Sequence, residues 1–290
     1  IAVVFSAKTP KFMDVYHGPM LNNNLIKFMF YPEFFKIGAP FDVYLTSDLD
    51  HPDFPKEQYK LIIMMNPFYL ASGERAAIKK LQADGRTFLW FYAPGYVDDE
   101  KGLTVDGIRD ITGIEVAELA GKECPRATLN PIKHPLVKEL PKSQVFASAA
   151  FTYPATVAMH SAEYGPVFRI TDDNAVAIAS FADGRTAIAA RAFASWKSVY
   201  SIIPRLDVAF LQNVCDWAGV HIYCRDRLPF DANRNYVVVG NGYEQARDIA
   251  IELPRTTAVT DAVTGKNLPQ QDRTIRITLQ PAETKVLHME

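Results

Sequence analysis

The sequence predicts an α/β fold: a doubly wound, mainly parallel sheet, then a small antiparallel β-sandwich. Two observations carry the first part. Short apolar strands alternate with amphipathic helical stretches, the rhythm of a parallel sheet with helical crossovers. Two of the strands, Tyr59-Lys-Leu-Ile-Ile-Met-Met65 and Arg86-Thr-Phe-Leu-Trp-Phe-Tyr92, are nearly continuously apolar, as strands covered on both faces are. The third observation is a change of texture after residue 220 to short alternating segments divided by Asn-Gly and Thr-Gly-Lys turns, an all-β pattern.

Residues 1–6 read as the first strand. Residues 20–38 carry Leu21, Leu25, Phe28, Met29 and Phe35 at helical intervals, and Gly38 and Pro40 end that helix. Strands follow at 41–45, 59–65 and 87–92. Between the last two, Ser72 reads as the cap of a helix over 73–84 that Gly85 closes. A short helix at 105–112 leads to a strand at 114–119. Residues 121–155, with five prolines, read as an irregular excursion. Strands are expected at 156–160, 167–170, 175–181 and 186–190, with Asp183-Gly184 as a hairpin turn, and a helix at 206–218. The five final strands are placed at 236–239, 246–253, 258–261, 274–279 and 284–289. The boundary falls near 226–233, giving domains 1–225 and 226–290.

Bulk properties narrow the function. The chain has 290 residues, 48% of them hydrophobic, which allows two domains and a large core. A net charge of −2 and a pI near 6.4 supply no basic field for nucleic acid or an anionic membrane. No apolar run reaches the roughly 20 residues that span a bilayer. Ile1-Ala-Val-Val-Phe5 has the composition of a core strand and no basic region ahead of it. That suggests a preceding segment in a parent protein and assigns no compartment. Cys124, Cys215 and Cys224 show no metal spacing. Free thiols and a Cys215–Cys224 bridge are both compatible with the spacing. No cofactor motif is present.

The turn after the fourth strand is where an α/β enzyme displays a nucleophile, as in Gly-x-Ser/Cys-x-Gly. Here it offers Tyr92, Ala93, Pro94 and Gly95, with no Ser or Cys. His160 and Glu163 suggest a His-x-Glu pair, but the spacing is one residue too long and no nucleophile stands upstream. Arg191-Ala-Phe-Ala-Ser-Trp-Lys-Ser-Val-Tyr200 reads as a loop with binding character: Arg191 offers planar donors and Trp196 a flat face for a sugar ring. With Tyr92 and Tyr96 these form a candidate ligand site at the C-terminal edge of the parallel strands; the competing reading packs Trp196 on the sheet and pairs Arg191 internally. Asp98-Asp-Glu100 and Asp172-Asp-Asn174 read as solvated turns rather than cation sites. Tyr16, His17 and Tyr31 flank the first helix. Phe28, Phe30, Tyr31, Phe34 and Phe35 exceed what one buried stripe needs, and are a candidate oligomer interface.

In order, these elements resemble the C-terminal half of glycoside hydrolases related to the family 42 β-galactosidases. The segment Tyr59–Leu70 resembles the family's "yklviaPalyl" region, and Gly85-Arg-Thr-Phe-Leu-Trp-Phe91 its Gly-Gly-x-hydrophobic strand. Val259-Thr-Asp-Ala-Val-Thr-Gly265 and Leu279-Gln-Pro-Ala-Glu-Thr-Lys-Val286 are similar to terminal sandwiches of many glycosidases. The resemblance implies that the doubly wound sheet is of the class I glutamine-amidotransferase-like (flavodoxin-like) type and serves as a trimerisation domain, with the β-sandwich as the terminal domain. It therefore implies a non-catalytic oligomerising region of a glycoside hydrolase. The catalytic (β/α)8 barrel and its carboxylate pair have no counterpart in these 290 residues, and the amidotransferase Cys expected near Ala93 or Pro94 is missing. Two rival readings are a stand-alone carbohydrate-binding module using Tyr92, Tyr96 and Trp196, and an unconventional hydrolase using His160 and Glu163.

Overall fold

The structure, a computed structural model, describes residues 1–13, 21–148 and 163–290. Its largest sheet has the strand order β2-β1-β3-β4-β13-β12-β11-β8-β9. The parallel part contains β1 (Ala2–Phe5), β2 (Asp42–Leu45), β3 (Leu61–Met64), β4 (Thr87–Phe91) and β13 (Lys197–Ser201). Every residue of β3 and β4 is buried, so both faces of the sheet are covered there. Beyond β13 the sheet turns antiparallel through β12 (Thr186–Ala192), β11 (Val176–Phe181), β8 (Arg126–Leu129) and β9 (Val145–Ala147). β10 (Val167–Ile170) pairs with β12 and with β7 (Val116–Leu119), while β5 (Val97–Asp98) and β6 (Gly102–Leu103) form a separate two-stranded antiparallel sheet. The large sheet is therefore mixed, with one half parallel and the other antiparallel.

Helices cover the parallel half in two groups. The helical run Asn23–Phe30 continues through Tyr31–Glu33 and Phe34–Lys36. It meets the helix Val208–Ala218, where the Gln212 side-chain amide donates to the Ile37 carbonyl (3.1 Å). The helix Ser72–Ala83 packs beside Val105–Thr112, with the Gln82 amide donating to the Ile111 carbonyl (2.7 Å). Ser72 is the first residue of its helix rather than the cap. Ala71 holds the cap position, and its N–H donates to the Glu74 carboxylate in the first turn (2.7 Å).

Two regions depart from the sequence reading. The stretch 121–155 contains β8 and β9, whose short alternating patterns the prolines obscured. The expected loop at Arg191–Tyr200 is the end of β12, a tight reversal, and β13. β13 is the fifth parallel strand and lies at the centre of the sheet, with Ser198, Tyr200 and Ser201 fully buried. Its serines make it look like a loop. Each finds an internal partner: Ser198 Oγ accepts from Trp90 Nε1 (3.1 Å) and donates to the Thr112 carbonyl (2.7 Å), and Ser201 Oγ donates to the Ile203 carbonyl (2.7 Å). The expected strand at 156–160 lies outside the described residues.

The C-terminal strands form two antiparallel sheets. One has the order β14 (Phe230–Ala232), β15 (Tyr236–Gly240), β20 (Thr284–Met289), β17 (Val259–Asp261). The other has β16 (Arg247–Glu252), β19 (Thr274–Leu279), β18 (Gln270–Gln271). Val237, Val239 and Leu287 of the first sheet and Ile249, Ile251 and Ile275 of the second share one apolar core, separate from the core of the large sheet.

Candidate functional site

The parallel strands end where a ligand crevice is expected in such sheets. Asn66, just beyond β3, and Tyr92, just beyond β4, both have positive φ, +46° and +59°. That left-handed geometry is the sharp reversal that presents a nucleophile in an elbow. Tyr92 stands at the point of the turn. Its hydroxyl donates to the Pro166 carbonyl, and its own carbonyl accepts from the Tyr200 hydroxyl. Burial raises the Tyr92 phenol well above its ordinary pKa, so it stays protonated at neutral pH. The position holds a neutral, hydrogen-bonded ring. Beside it, Asn66 Oδ1 accepts from the Ala93 N–H (3.0 Å), while Asn66 Nδ2 has no partner among the described residues.

Tyr92 and Tyr96 meet here and line a cavity of ≈ 200 Å³ with Phe12, Phe68, Leu103 and Tyr164. Its walls are chiefly aromatic, and their hydroxyls are already engaged. Tyr96 donates to Glu118 (2.6 Å), and Tyr164 shares a hydrogen bond with Ser148 (2.8 Å). Burial, then the bond to Glu118, raises the Tyr96 pKa. Phe12 and Leu103 were not among the residues singled out from the sequence. Their signal is exposure, 45% and 66%, which no local pattern announces.

Arg191 and Trp196 do not join this crevice. Trp196 directly precedes β13, and Lys197 of β13 pairs with Thr87 at the start of β4, whereas Tyr92 follows the end of β4. Five residues of β4 at roughly 3.3 Å each separate the two ends by about 16 Å. The four-residue site is thus divided between opposite edges of the sheet. Arg191 Nη1 donates to the Asp172 carboxylate (2.7 Å), itself 2% exposed, and to the Gly113 carbonyl (3.2 Å). Trp196 is partly buried, stacks on Phe193 at 4.3 Å, and meets the edge of Phe88. Phe193 covers one face of the indole ring.

The aromatic cluster of the first helix also divides. Phe34 is fully buried and cannot belong to an interface. Phe30 is partly buried at the centre of a ring cluster with Phe5, Phe34 and Phe41. Phe28 is intermediate. Tyr31 and Phe35 face solvent at 62% and 41% exposure, continuous through Phe41 with exposed Val43 and Leu45 on edge strand β2.

Other candidates take structural roles. Asp98 accepts from the N–H groups of Glu100 and Lys101, the solvated turn expected of it. Asp172 likewise accepts from Asn174 N, but is buried on Arg191. Among the described residues no group of His, Cys, Asp and Glu is arranged to hold a metal ion. The three cysteines are free; burial pushes the Cys215 thiol up to about 12 and the Cys224 thiol to about 11, so both are unreactive at neutral pH. His160, Tyr16 and His17 lie outside the described residues.

No protein-family model and no curated protein matches this chain. Solved structures do. The β-galactosidase of Bacillus circulans sp. alkalophilus superposes on 100% of this chain and 41% of its own, at TM-score 0.66 and 16% identity. Gan42B, a GH42 β-galactosidase of G. stearothermophilus, matches over 99% of this chain and 40% of its own (TM-score 0.61, 13% identity). The β-galactosidase of the Antarctic haloarchaeon Halorubrum lacusprofundi does so over 99% and 39% (TM-score 0.59, 15% identity). The chain thus shares its fold with a portion of these proteins and spans about two-fifths of their length.

Proposed function

We propose that this chain is an accessory and oligomerising region of a glycoside hydrolase related to the family 42 β-galactosidases, without catalysis of its own. The observation that carries the reading is the superposition of essentially the whole chain, both cores included, on two-fifths of such β-galactosidases. On this reading residues 1–225 are a glutamine-amidotransferase-like, doubly wound trimerisation domain, and 226–290 a terminal β-sandwich. The parallel strand order β2-β1-β3-β4-β13 supports that type, since it is the flavodoxin-like 2-1-3-4-5 order. Tyr92 at the elbow supports the absence of chemistry: a buried phenol held neutral cannot replace an activated Ser or Cys.

The test has two arms. The chain alone should release no nitrophenol from aryl β-galactosides and no ammonia from glutamine. Turnover that disappears on His160→Ala or Glu163→Ala would replace this reading with the hydrolase one. The chain should also self-associate, a trimer being the expected state, and sedimentation as a monomer across micromolar concentrations, by the chain and by its parent protein, would refute the oligomerising role.

A further inference from the structure

A polar cleft at the C-terminal edge lies away from the aromatic crevice. It has a volume of ≈ 290 Å³ and is bounded by Glu33, Arg126, Gln144, Arg205, Asp207 and the residues of β9. That volume is near the lower end for small-molecule sites, roughly 300 Å³, and suits one compact ligand.

Its hydrogen-bonding inventory is unbalanced. Both Asp207 oxygens are engaged: Oδ1 accepts from the Phe210 N–H (2.9 Å) and Oδ2 from Gln144 Nε2 (2.6 Å). Glu33 Oε2 accepts from the Val208 N–H (3.2 Å). Both carboxylates are thus turned to the first turn of the helix Val208–Ala218, whose partial positive charge, roughly half a unit, offsets part of theirs. The guanidinium groups of Arg126 and Arg205 have no hydrogen bond or ion pair among the described residues. The cleft holds many uncommitted donors and few uncommitted acceptors, namely Glu33 Oε1 and Gln144 Oε1. A complementary ligand is rich in acceptors, negatively charged, and carries a few hydroxyl groups as donors.

We propose that this cleft binds a small sugar bearing an oxyanion, a uronate or a sugar phosphate. Arg126 and Arg205 hold the anion, and Glu33 Oε1 and Gln144 Oε1 accept from ring hydroxyls. Guanidinium suits this task because its planar fork meets two oxygens of a carboxylate or phosphate at once. The sugar component rests on the glycoside-hydrolase reading above; the anion component rests on the cleft alone.

Calorimetric titration of the chain at low ionic strength with galacturonate, galactose 6-phosphate, neutral galactose and inorganic phosphate tests it. At least one charged sugar should bind, and the two charged sugars separate a carboxylate from a phosphate ligand. Arg126→Ala and Arg205→Ala should each weaken that binding about tenfold or more, the loss of a charge-assisted contact. Arg205→Lys should restore part of it, and Arg234→Ala, outside the cleft, should change nothing. Thermal melting confirms that each variant is folded. The proposal is overturned if neither charged sugar binds at millimolar concentration, or if the double arginine variant binds as well as the parent. It is equally overturned if galactose or inorganic phosphate binds as tightly as the charged sugars. Failure of the hydrolase-region reading would instead appear in sedimentation and glycoside turnover, where these arginines take no part.

Discussion

Single buried polar atoms decide much of this molecule. Ser198 is the plainest case, linking Trp90 of β4 to the Thr112 carbonyl at the end of a helix. Ser198→Ala should leave the buried indole N–H without an acceptor and cost about 1–3 kcal/mol in urea unfolding. An unchanged midpoint would show that the hydroxyl is dispensable. Hydrogen-bonded carboxylates act through pH. Hydrogen bonds from backbone N–H groups hold Asp98, Asp183, Asp261 and Glu283 below their ordinary range, with Arg75, Arg185 or Lys285 adding to the effect. Because their folded pKa values are depressed, their stabilisation is fully present above the ordinary values of 3.8 and 4.5, and is lost as pH falls through the folded ones. The melting temperature should therefore hold on acidification to the ordinary carboxylate range and decline below it. Neutralising all four as Asn or Gln should flatten that acid limb.

At the scale of elements, the first helix and edge strand β2 present one exposed apolar surface through Tyr31, Phe35, Val43 and Leu45. One donor of that edge is capped, since Asp48 Oδ2 accepts from the Leu45 N–H (2.8 Å). Tyr31→Asp with Phe35→Glu should convert an oligomer to monomer in sedimentation velocity while changing monomer stability by less than about 1 kcal/mol, as expected of exposed positions. An unaltered oligomer would clear this surface of the role. Phe34→Asp is a different experiment: it places a charge in the core and should unfold the chain.

On the scale of the whole molecule, Gly38 packs against the chain where it passes from the large α/β part to the C-terminal sheets. Its carbonyl accepts from the Tyr223 N–H (2.7 Å) and the Cys224 N–H (3.3 Å), its φ is +78°, and a Cβ there would lie 1.7 Å from the Cys224 carbonyl oxygen. Gly38→Ala combines an unfavourable backbone conformation with a backbone clash and should cost about 3 kcal/mol or more. A melt within a degree of the parent would mean that the two parts separate there without penalty. Arg75 and Gly107 follow the same logic within the larger part. Arg75 donates to the carbonyls of Leu70, Gly95 and Gly107, while a Cβ on Gly107 would lie 2.1 Å from the Gly95 oxygen.

The sequence by itself determined the elements whose signals are local. Apolar runs placed β3 and β4, helical spacing placed the helices ending at Ala83 and Ala218, and turn residues divided the C-terminal strands, because each signal arises from neighbours along the chain. Tertiary structure decided what depends on distant partners. β13 is central although its serines resemble a loop, since Trp90 and Thr112 satisfy Ser198 from far away in the sequence. Its parallel register with β4 sends Arg191 and Trp196 to one edge of the sheet and leaves Tyr92 and Tyr96 at the other. Likewise, five aromatics in one helix look alike in sequence, and packing against Phe41 is what separates buried Phe34 from exposed Tyr31. The cleft of Arg126 and Arg205 gave no local signal, because its residues come from four separate stretches of chain that meet only after the sheet is assembled.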